Sequence, residues 1–433
     1  MKETMALRNL IRSGIRKSLT GQSAIVLENT VPTLEHRFRN IEELGIYLHI
    51  PFCDQICPYC PYNKEPYHAD VAARYASAVI KEIDTYADMI GEMPVTSFYI
   101  GGGTPTTMLR SGLVKILERI FDRFNMKCSI HMESHPNHLD PANLEAAASM
   151  GVRYLSVGVE ALQDRHLQTL KRPYNAREAR AAVDRAVNKG FDCVNADIIF
   201  ALPGQTYAEV KEAGRALVEM NLDQVSAYPL FIFPYTQMGK NNGASKYKSA
   251  GVLRRKKMLG ILENVFYGAG FVRTSSWAFT RKGIPKYCSV TVPMYIGLGA
   301  SGGTYLKDIF YLNTFSVSEY ISALNGGRLP ISLTLDLSER MQMAGWLYWR
   351  IYETRFTKAA FHERFGKDFD EIYGRLMKAL SLAGFLSERN GEIVLSDRGT
   401  FWLHAFEDLF SINYVSKLWG KLIREPWPSR VVL

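Results

Sequence analysis

Short apolar runs alternate with helical stretches between about residue 44 and residue 305, and this alternation constrains the fold more than any other feature of the chain. Such a pattern is typical of repeated βα units around a parallel sheet. The predicted strands are Gly45–Ile50, Thr96–Ile100, Cys128–Glu133, Tyr154–Gly158, Cys193–Phe200 and Gln224–Leu230. The predicted helices between them include Val71–Ile90, Ser111–Phe124 and Ala176–Lys189. A partial or full (βα) barrel, similar to a TIM barrel, is the natural closure of such a sheet.

The pattern changes after Gly326, Gly327 and Pro330 to three helical stretches and a short hairpin. This order is similar to a winged helix and predicts a small second domain. The fold class is therefore α/β, with a barrel followed by a small α+β winged-helix-like domain. The predicted segments are a basic helical segment at 1–43, the barrel at 44–328, the C-terminal domain at 329–411 and a basic amphipathic tail at 412–433.

Composition limits the classes of protein to which the chain can belong. Its 433 residues, 47% hydrophobic and 22% charged, are enough for one large core and a smaller domain. No run approaches the roughly 20 apolar residues of a membrane span, and no apolar signal stretch opens the chain. Six sparse cysteines argue against a disulfide framework and favour a reducing cytoplasm. The net charge of +9 attracts an anionic partner without identifying it.

Three cysteines lie on one loop directly after the first predicted strand. Cys53, Cys57 and Cys60 have the spacing C-x3-C-x2-C. This spacing can hold three corners of a cubic iron–sulfur cluster and leaves one iron open to a chelator, as needed to bind and reductively cleave S-adenosylmethionine (SAM). Zinc, the alternative, usually takes two C-x2-C pairs or added histidines. The remaining cysteines are isolated: Cys128, Cys193 and Cys288.

A glycine run follows the next predicted strand, in the sequence Gly101-Gly-Gly-Thr-Pro105. Glycine lets backbone groups approach a ligand closely because it has no Cβ. Gly102, Gly103 and Thr104 are therefore candidates for an exposed strand edge that holds the methionine amino group of the cofactor. A simple tight turn is the alternative.

With these motifs the sequence resembles the coproporphyrinogen dehydrogenase-like branch of the radical SAM superfamily, from about Tyr47 to the C-terminal domain. The likeness implies a radical SAM barrel in which Cys53, Cys57 and Cys60 bind a [4Fe–4S] cluster, with the amino and carboxylate groups of SAM on the fourth iron. The matching segments follow the order and spacing of the family: Tyr47–Cys53, Gly101–Pro105, Ser156–Val159, Leu167–Arg172, Asn195–Asp197, Leu202–Thr206 and Tyr295–Gly299.

The resemblance also implies roles for four residues around SAM. Tyr59 packs beside the adenine, and Asp197 binds the ribose hydroxyls. Glu133 and Arg172 match positions that hold the cofactor. A guanidinium suits a carboxylate because its planar fork makes two parallel hydrogen bonds.

Two departures from the family pattern lie in the chemistry. The porphyrinogen dehydrogenases continue the cluster loop with one further cysteine, and Tyr62 follows Cys60 at that point in this chain. The usual Gly-Val-Gln-Ser-Phe is here Gly158–Leu162, in which Glu160 replaces the neutral amide. Both changes weaken the case for porphyrinogen decarboxylation. Glu160 becomes a candidate for both cofactor binding and catalysis.

Divergent relatives of this branch include methyltransferases that use two SAM molecules to methylate an sp2 carbon. Tyr47 matches a position near the second SAM and is a second catalytic candidate. The expected substrate is a hydrophobic ring such as menaquinone, and four aromatic side chains could line its pocket: Tyr228, Phe231, Phe233 and Tyr235. The alternatives are a tetrapyrrole enzyme, either a coproporphyrinogen III dehydrogenase or a heme-processing enzyme, and a non-enzymatic heme chaperone.

The expected partners follow from this chemistry. An external electron donor such as flavodoxin or ferredoxin has to reduce the cluster. The N-terminal amphipathic segment is expected to dock on the barrel as a helix, with a peripheral membrane contact as the alternative, and the C-terminal tail can lie on a membrane surface. The expected location is the cytoplasm, with the inner surface of the membrane as the place of any such contact. Nucleic acid is not expected as a partner, because the C-terminal domain carries as many acidic residues as an ordinary solvated surface.

Overall fold

A large mixed sheet forms the centre of this computed structural model, which describes residues 12–39, 41–241, 250–287 and 294–433. The strands of these residues are, in chain order, β1 Val26–Glu28, β2 Leu44–Ile50, β3 Phe52–Cys53, β4 Glu65–Pro66, β5 Pro94–Gly102, β6 Asn125–Met126, β7 Ile130–Ser134, β8 Val152–Glu160, β9 Cys193–Phe200, β10 Gln224–Pro229, β11 Phe271–Arg273, β12 Ala278–Arg281, β13 Tyr295–Leu298, β14 Gly303–Tyr305, β15 Ile309–Asn313, β16 Ile331–Asp336, β17 Arg355–Thr357, β18 Leu386–Arg389, β19 Glu392–Leu395 and β20 Arg430–Val432. The strands β17 to β19 form a separate small sheet, and β3 pairs with β4.

Helices connect the strands of both sheets. They are α1 at residues 12–20, α2 Ala69–Ile90, α3 Gly112–Arg123, α4 Pro141–Ser149, α5 Asp164–Thr169, α6 Ala176–Lys189, α7 Tyr207–Glu219, α8 Gln237–Lys240, α9 Val252–Gly268, α10 Val317–Asn325, α11 Glu339–Tyr352, α12 Lys358–Phe365, α13 Phe369–Leu382 and α14 Asp397–Leu422. Capping boxes begin α6, at Asn175 and Glu178, and α7, at Thr206 and Glu209. The first eleven residues of the predicted N-terminal segment, and Cys288, lie outside the described residues.

Parallel strands make up the middle of the large sheet, in the order β10-β9-β8-β7-β5-β2-β13. Antiparallel strands extend both sides, and across the described residues the hydrogen-bonded path runs from β11 to β20 without closing. This is the partial form of the predicted barrel. All residues of β2 except Tyr47 are buried, as expected for a parallel strand covered on both faces. The predicted α/β class is confirmed.

The predicted strands and helices between residues 44 and 230 are all present, with each boundary within two residues of the observed one. The predicted strand Cys193–Phe200 and the predicted helix Ala176–Lys189 have the bounds of β9 and α6. The predicted strand Cys128–Glu133 begins too early. Met126 in β6 already pairs with Val95 in β5, and the chain makes no further strand until β7.

A small unit with its own core follows the large sheet. Its elements run α11-β17-α12-α13-β18-β19, the winged-helix order that the sequence predicts. Trp346 on α11 packs against four phenylalanine rings with centroids 5.3–6.4 Å away: Phe356, Phe361, Phe365 and Phe369. These rings bury the helices against the small sheet without contribution from the large one.

The chain ends join the large sheet, which differs from the predicted segment boundaries. β1 pairs with both β16 and β20, and α14 continues through the predicted boundary between residues 411 and 412. The apolar side chains of the predicted tail supply the reason, because Leu418 and Leu422 are buried against Leu27, Leu333 and Val431. This apolar face is covered by the protein itself, and the membrane contact stays a prediction. No described helix is both long and apolar enough to cross a membrane.

Candidate active site

A cavity of about 520 Å³ opens where the parallel strands end. Carboxyl ends of such strands are the usual place for chemistry in a βα sheet. Among the residues that line the cavity are eleven of the predicted site residues: Cys53, Cys57, Tyr59, Cys60, Gly102, Gly103, Thr104, Glu133, Glu160, Arg172 and Asp197. The fold therefore brings together positions spread over 145 residues of sequence, from Cys53 to Asp197.

The cysteine loop leaves β2 and β3 and turns back on itself. Cys60 donates its N–H to the Cys57 carbonyl at 3.4 Å, and Lys64 Nζ donates to the Cys60 carbonyl at 2.6 Å. Burial raises the pKa of the Cys53 thiol to about 12, and burial also raises that of Cys60. These two thiols are therefore neutral unless a cation binds them.

The glycine run holds the cysteine loop in place. Gly103 N–H donates to the Ile50 carbonyl at 2.7 Å, and Thr104 N–H donates to the Phe52 carbonyl at 2.8 Å. A Cβ on Gly103 would lie 2.8 Å from that Phe52 oxygen and 3.0 Å from Cys53 Sγ. Only glycine fits here, because the two backbones approach so closely.

Glu133 is half-buried near the end of β7 and is bound by two donors. Tyr99 Oη donates to Oε1 at 2.6 Å, and Gly102 N–H donates to Oε2 at 3.0 Å. Tyr287 Oη in turn donates to Tyr99 Oη at 2.7 Å. Burial outweighs these hydrogen bonds and raises the pKa of Glu133 to about 7.

Glu160 lies at the end of β8 in a left-handed backbone conformation, with φ of 65°. Tyr59 is a hydrogen-bond partner of its carboxyl group, and Oε2 has no partner among the described residues. Burial raises the pKa of Glu160 to about 7, although the nearby Arg172 opposes the shift. A non-glycine residue with positive φ and an unsatisfied buried oxygen is costly for folding alone, so this carboxyl group is well placed to receive a ligand.

Arg172 connects the cluster loop to β8. Its guanidinium donates to Cys57 Sγ at 3.1 Å, to the Gly158 carbonyl at 2.9 Å and to Tyr174 Oη at 2.8 Å. Nearby phenolic and anionic groups keep its pKa high in spite of burial, so Arg172 is a fixed positive charge in the site.

Asp197 on β9 is held by the neighbouring strands. Ser156 Oγ donates to Oδ2 at 2.7 Å, and Asn195 Nδ2 donates to Oδ1 at 3.1 Å. Burial raises the pKa of this carboxyl group. These hydrogen bonds fix its rotamer, which suits a carboxylate that has to bind hydroxyl groups.

Tyr47 is the one predicted site residue missing from the described cavity lining. Its Oη contacts His49 Nδ1 at 2.9 Å, and its ring stacks on Tyr99 with centroids 6.1 Å apart. It supports the residues of the wall, and its contact with a second SAM stays a prediction. Of the predicted aromatic pocket, Tyr228, Phe231 and Phe233 line the cavity, and Tyr235 instead donates to the Pro61 carbonyl at 3.0 Å.

The far end of the cavity is formed by residues that sequence reasoning missed. They come from the β11–β12 turn, α11 and α14: Trp277, Tyr348, Tyr352, His404, Asp408, Ser411, Ile412 and Val415. They belong to no motif of the cluster loop, and they reach the cavity only because α14 packs back over it. Their helical spacing on α14 is the one signal in the sequence, and an ordinary packed helix gives the same pattern.

Comparison with known proteins agrees with this arrangement. Residues 47–217 match the radical SAM superfamily, and residues 355–402 match the HemN C-terminal domain. The chain is 23% identical over 360 residues to the heme chaperone HemW of Bacillus subtilis, covering 82% of this chain and 95% of the relative. It is 24% identical to the anaerobilin synthase of Escherichia coli O157:H7, covering 68% of each. The solved coproporphyrinogen III oxidase HemN of Escherichia coli has a TM-score of 0.76 at 18% identity, covering 90% of this chain and 94% of that one.

The cysteine loop, the partial βα barrel and these matches define the class: the chain is a member of the radical SAM superfamily. More narrowly, it is similar to the coproporphyrinogen III oxidase-like branch, since residues 355–402 match the HemN C-terminal domain and the solved HemN shares the fold over 90% of this chain. The predicted family is confirmed. Membership of the superfamily implies a [4Fe–4S] cluster and SAM.

The residues of the cavity fit these two groups. Among the described residues no three His, Cys, Asp or Glu side chains converge closely enough to hold a single metal ion. Cluster cysteines each bind a different iron and stand farther apart than the ligands of one zinc ion, so three thiols on one loop are the expected donor set. The free Oε2 of Glu160 and the side-chain-free surface at Gly103 could accept a cationic cofactor beside them. When bound, the reduced cluster supplies the electron that cleaves SAM.

Proposed function

We propose that the protein is a radical SAM enzyme that acts on a tetrapyrrole. The proposal rests on one observation: the cavity that contains the cysteine loop is also lined by a group of aromatic side chains. They are Tyr228, Phe231, Phe233, Trp277 and Tyr352. Flat, largely apolar walls with few polar groups suit a large conjugated ring.

The names of the relatives support the same substrate class. Heme, anaerobilin and coproporphyrinogen are all tetrapyrrole names, and they belong to two relatives and one solved structure that each cover two thirds or more of this chain. The preferred expectation from the sequence, a quinone methyltransferase, has no support among these names. Tetrapyrrole chemistry, the alternative from the sequence, therefore takes its place.

The site residues take the following roles in this proposal. Cys53, Cys57 and Cys60 bind the cluster, and Arg172 positions Cys57 through its hydrogen bond while its positive charge attracts the SAM carboxylate. Glu160 receives the positive charge of SAM on its free oxygen. The remaining roles are those of the family resemblance: Asp197 on the ribose, Tyr59 on the adenine, and Glu133 with the glycine run on the methionine end. A second SAM beside Tyr47 and an external protein electron donor stay predictions.

A non-enzymatic heme carrier is the second candidate. One observation favours it, because a relative that covers 82% of this chain is named a heme chaperone. The buried carboxyl groups around the cysteine loop, with Glu160 holding an unpaired oxygen, favour an enzyme, since a carrier needs no cofactor pocket of this kind.

The test is anaerobic reconstitution followed by mass spectrometry of all products. Heme, coproporphyrinogen III and menaquinone are offered separately with SAM and a strong reductant. The proposal expects 5′-deoxyadenosine together with a tetrapyrrole of altered mass. A methylated menaquinone with S-adenosylhomocysteine would restore the methyltransferase. Tight heme binding with no altered tetrapyrrole would establish the carrier.

A further inference from the structure

His404 is a buried histidine in the wall of the cavity. It lies on α14, is 7% exposed and lines the same cavity as the three cysteines. The roles derived above for the cluster and for SAM do not use it. For a buried histidine in the wall of a ligand cavity, the hydrogen-bond partner of each ring nitrogen has to be identified.

The hydrogen bonds fix the tautomer of this ring. Trp277 Nε1 lies 3.1 Å from His404 Nε2, and an indole N–H can only donate. Nε2 is therefore an acceptor that carries a lone pair, and Nδ1 carries the proton. Nδ1 faces Asp408 Oδ1 at 3.4 Å, longer than a normal hydrogen bond, and finds no better partner in the described part of the chain.

This arrangement is the one used by histidines that bind metals. A ligating imidazole presents one lone pair to the metal and directs its other N–H at a carboxylate, which orients the ring and raises its basicity. In His404 the carboxylate is Asp408, one helical turn further along α14. The present partner of the lone pair is a single neutral N–H, which a metal can displace.

The residues around His404 indicate which kind of metal group this histidine can bind. The ring centroids of Trp277, Tyr352 and Phe231 lie 4.8, 5.8 and 6.4 Å from that of His404. No second histidine and no cysteine is among the described residues at this end of the cavity, and a bare ion would need such additional ligands. A metal that brings its own planar ligand needs only one axial nitrogen and flat apolar walls.

We infer that His404 Nε2 is the axial ligand of an iron tetrapyrrole bound in this cavity. The inference rests on the proposed function and deepens it, because it names heme rather than a metal-free porphyrinogen as the substrate class. On binding, the iron–Nε2 coordinate bond forms and the hydrogen bond from Trp277 breaks. Asp408 keeps the proton on Nδ1, so no proton is released.

The test is an absorbance titration of the full-length protein with heme. Wild type is compared with His404→Gly and with the control His362→Ala, which removes an exposed histidine from α12. The inference expects the Soret band of histidine-ligated heme in wild type and in the control. In His404→Gly this band is lost, the affinity falls at least about 10-fold, and added imidazole restores the band. Asp408→Asn weakens heme binding by about 10-fold for the same reason.

Trp277→Phe keeps the test decisive if His404→Gly fails to fold. This change keeps an aromatic wall and removes the competing N–H, so heme binding stays equal to wild type or becomes several-fold tighter. Loss of the Soret band in Trp277→Phe would overturn the inference, because it would make the indole rather than the imidazole essential.

The failure of the inference is separable from the failure of the proposed function. Metal-free coproporphyrin is titrated in parallel and followed by its fluorescence. If it binds and His404→Gly binds heme with an unchanged spectrum, the axial role is overturned and the tetrapyrrole proposal stands. If neither heme nor coproporphyrin binds wild type, both fail.

Discussion

Burial rather than ion pairing sets the charge state of the individual residues in this cavity. Glu133 and Glu160 each have a pKa of about 7, and Cys53 has one of about 12, in every case chiefly because the group is buried. Arg172 is the residue whose charge the surroundings support. The cavity is therefore prepared for a ligand that brings positive charge, and both the iron cluster and SAM bring it.

Replacing Arg172 by Lys tests whether the fork of the guanidinium matters. Lysine keeps the charge but cannot bind Cys57, Gly158 and a carboxylate in the same plane. We expect SAM binding to weaken by about 1.5–3 kcal/mol in calorimetric titration of the reconstituted protein. Arg177→Lys, at an exposed position, is the matched control. Equal affinity of wild type and Arg172→Lys would remove Arg172 from the SAM site.

Replacing Glu160 by Gln restores the amide of the family and tests the charge at this position. In wild type the carboxyl group ionises as the pH rises through about 7. A cationic ligand favours the ionised form, so SAM should bind more tightly to wild type at pH 8 than at pH 6. In Glu160→Gln this increase should be smaller, because only Glu133 remains to produce it. The same increase in both proteins would show that Glu160 does not face the positive charge.

Two elements support the strand that leads into the cysteine loop, the end of β5 and the buried face of α2. On α2, Tyr75 donates to the His49 carbonyl at 2.7 Å and accepts from Ala300 N–H at 2.9 Å. Glu82, two turns further along the same face of α2, accepts from Gly299 N–H at 2.8 Å and from Asn313 Nδ2 at 2.7 Å. The position of β2 therefore depends on contacts that are remote in sequence.

Gly103→Ala tests the contact with β5. The added Cβ would meet the Phe52 carbonyl and Cys53 Sγ, which forces the loop away from the strand. Overpacking of this kind costs about 1–3 kcal/mol. We expect a lower melting temperature and less than the wild-type iron content after reconstitution. Gly268→Ala, where a Cβ meets nothing within 4 Å, is the control. Full iron content in Gly103→Ala would mean that the loop does not need this contact.

Glu82→Gln tests the carboxyl group buried between α2, β15 and α10. Burial raises the pKa of Glu82 from 4.5 to about 7. Below pH 4.5 the group is protonated in both the folded and the unfolded chain. Between pH 4.5 and 7 the unfolded chain ionises and the folded one does not, so wild type loses up to about 3 kcal/mol of stability as the pH rises.

Urea unfolding of the protein without its cofactors measures this effect. The stability of Glu82→Gln should fall less than that of wild type between pH 4.5 and 7, and the exposed substitution Glu118→Gln should behave like wild type. Parallel pH curves for wild type and Glu82→Gln would contradict the raised pKa.

The bounds of strands and helices can be predicted from the sequence where the local signals are strong. The apolar residues of β9 indicate where this strand lies, and the capping box of α6 indicates where this helix begins. The start of β7 could not be predicted, because it depends on Met126 pairing with β5, a contact that no local pattern encodes.

At the scale of the whole molecule, one cavity is lined by the strand-end loops of the barrel, by the β11–β12 turn and by α11 and α14. The cysteine loop and the strand-end residues could be predicted because each follows an apolar strand or stands in a recognisable motif. The far wall could not, since Trp277 and His404 are 127 residues apart and meet only through the packing of α14 on the sheet. The sequence therefore predicts the radical chemistry, whereas the wall that would bind the substrate can be identified only from the three-dimensional fold.

The most direct test of the central claim is the rate at which the reconstituted protein forms 5′-deoxyadenosine from SAM under reducing, anaerobic conditions, with and without a tetrapyrrole. A tetrapyrrole that occupies the aromatic end of the cavity lies next to the site of SAM cleavage, so we predict that heme or coproporphyrinogen III raises the rate several-fold in wild type and leaves Cys57→Ala without product. A rate that no tetrapyrrole changes, or that menaquinone alone raises, would contradict the account.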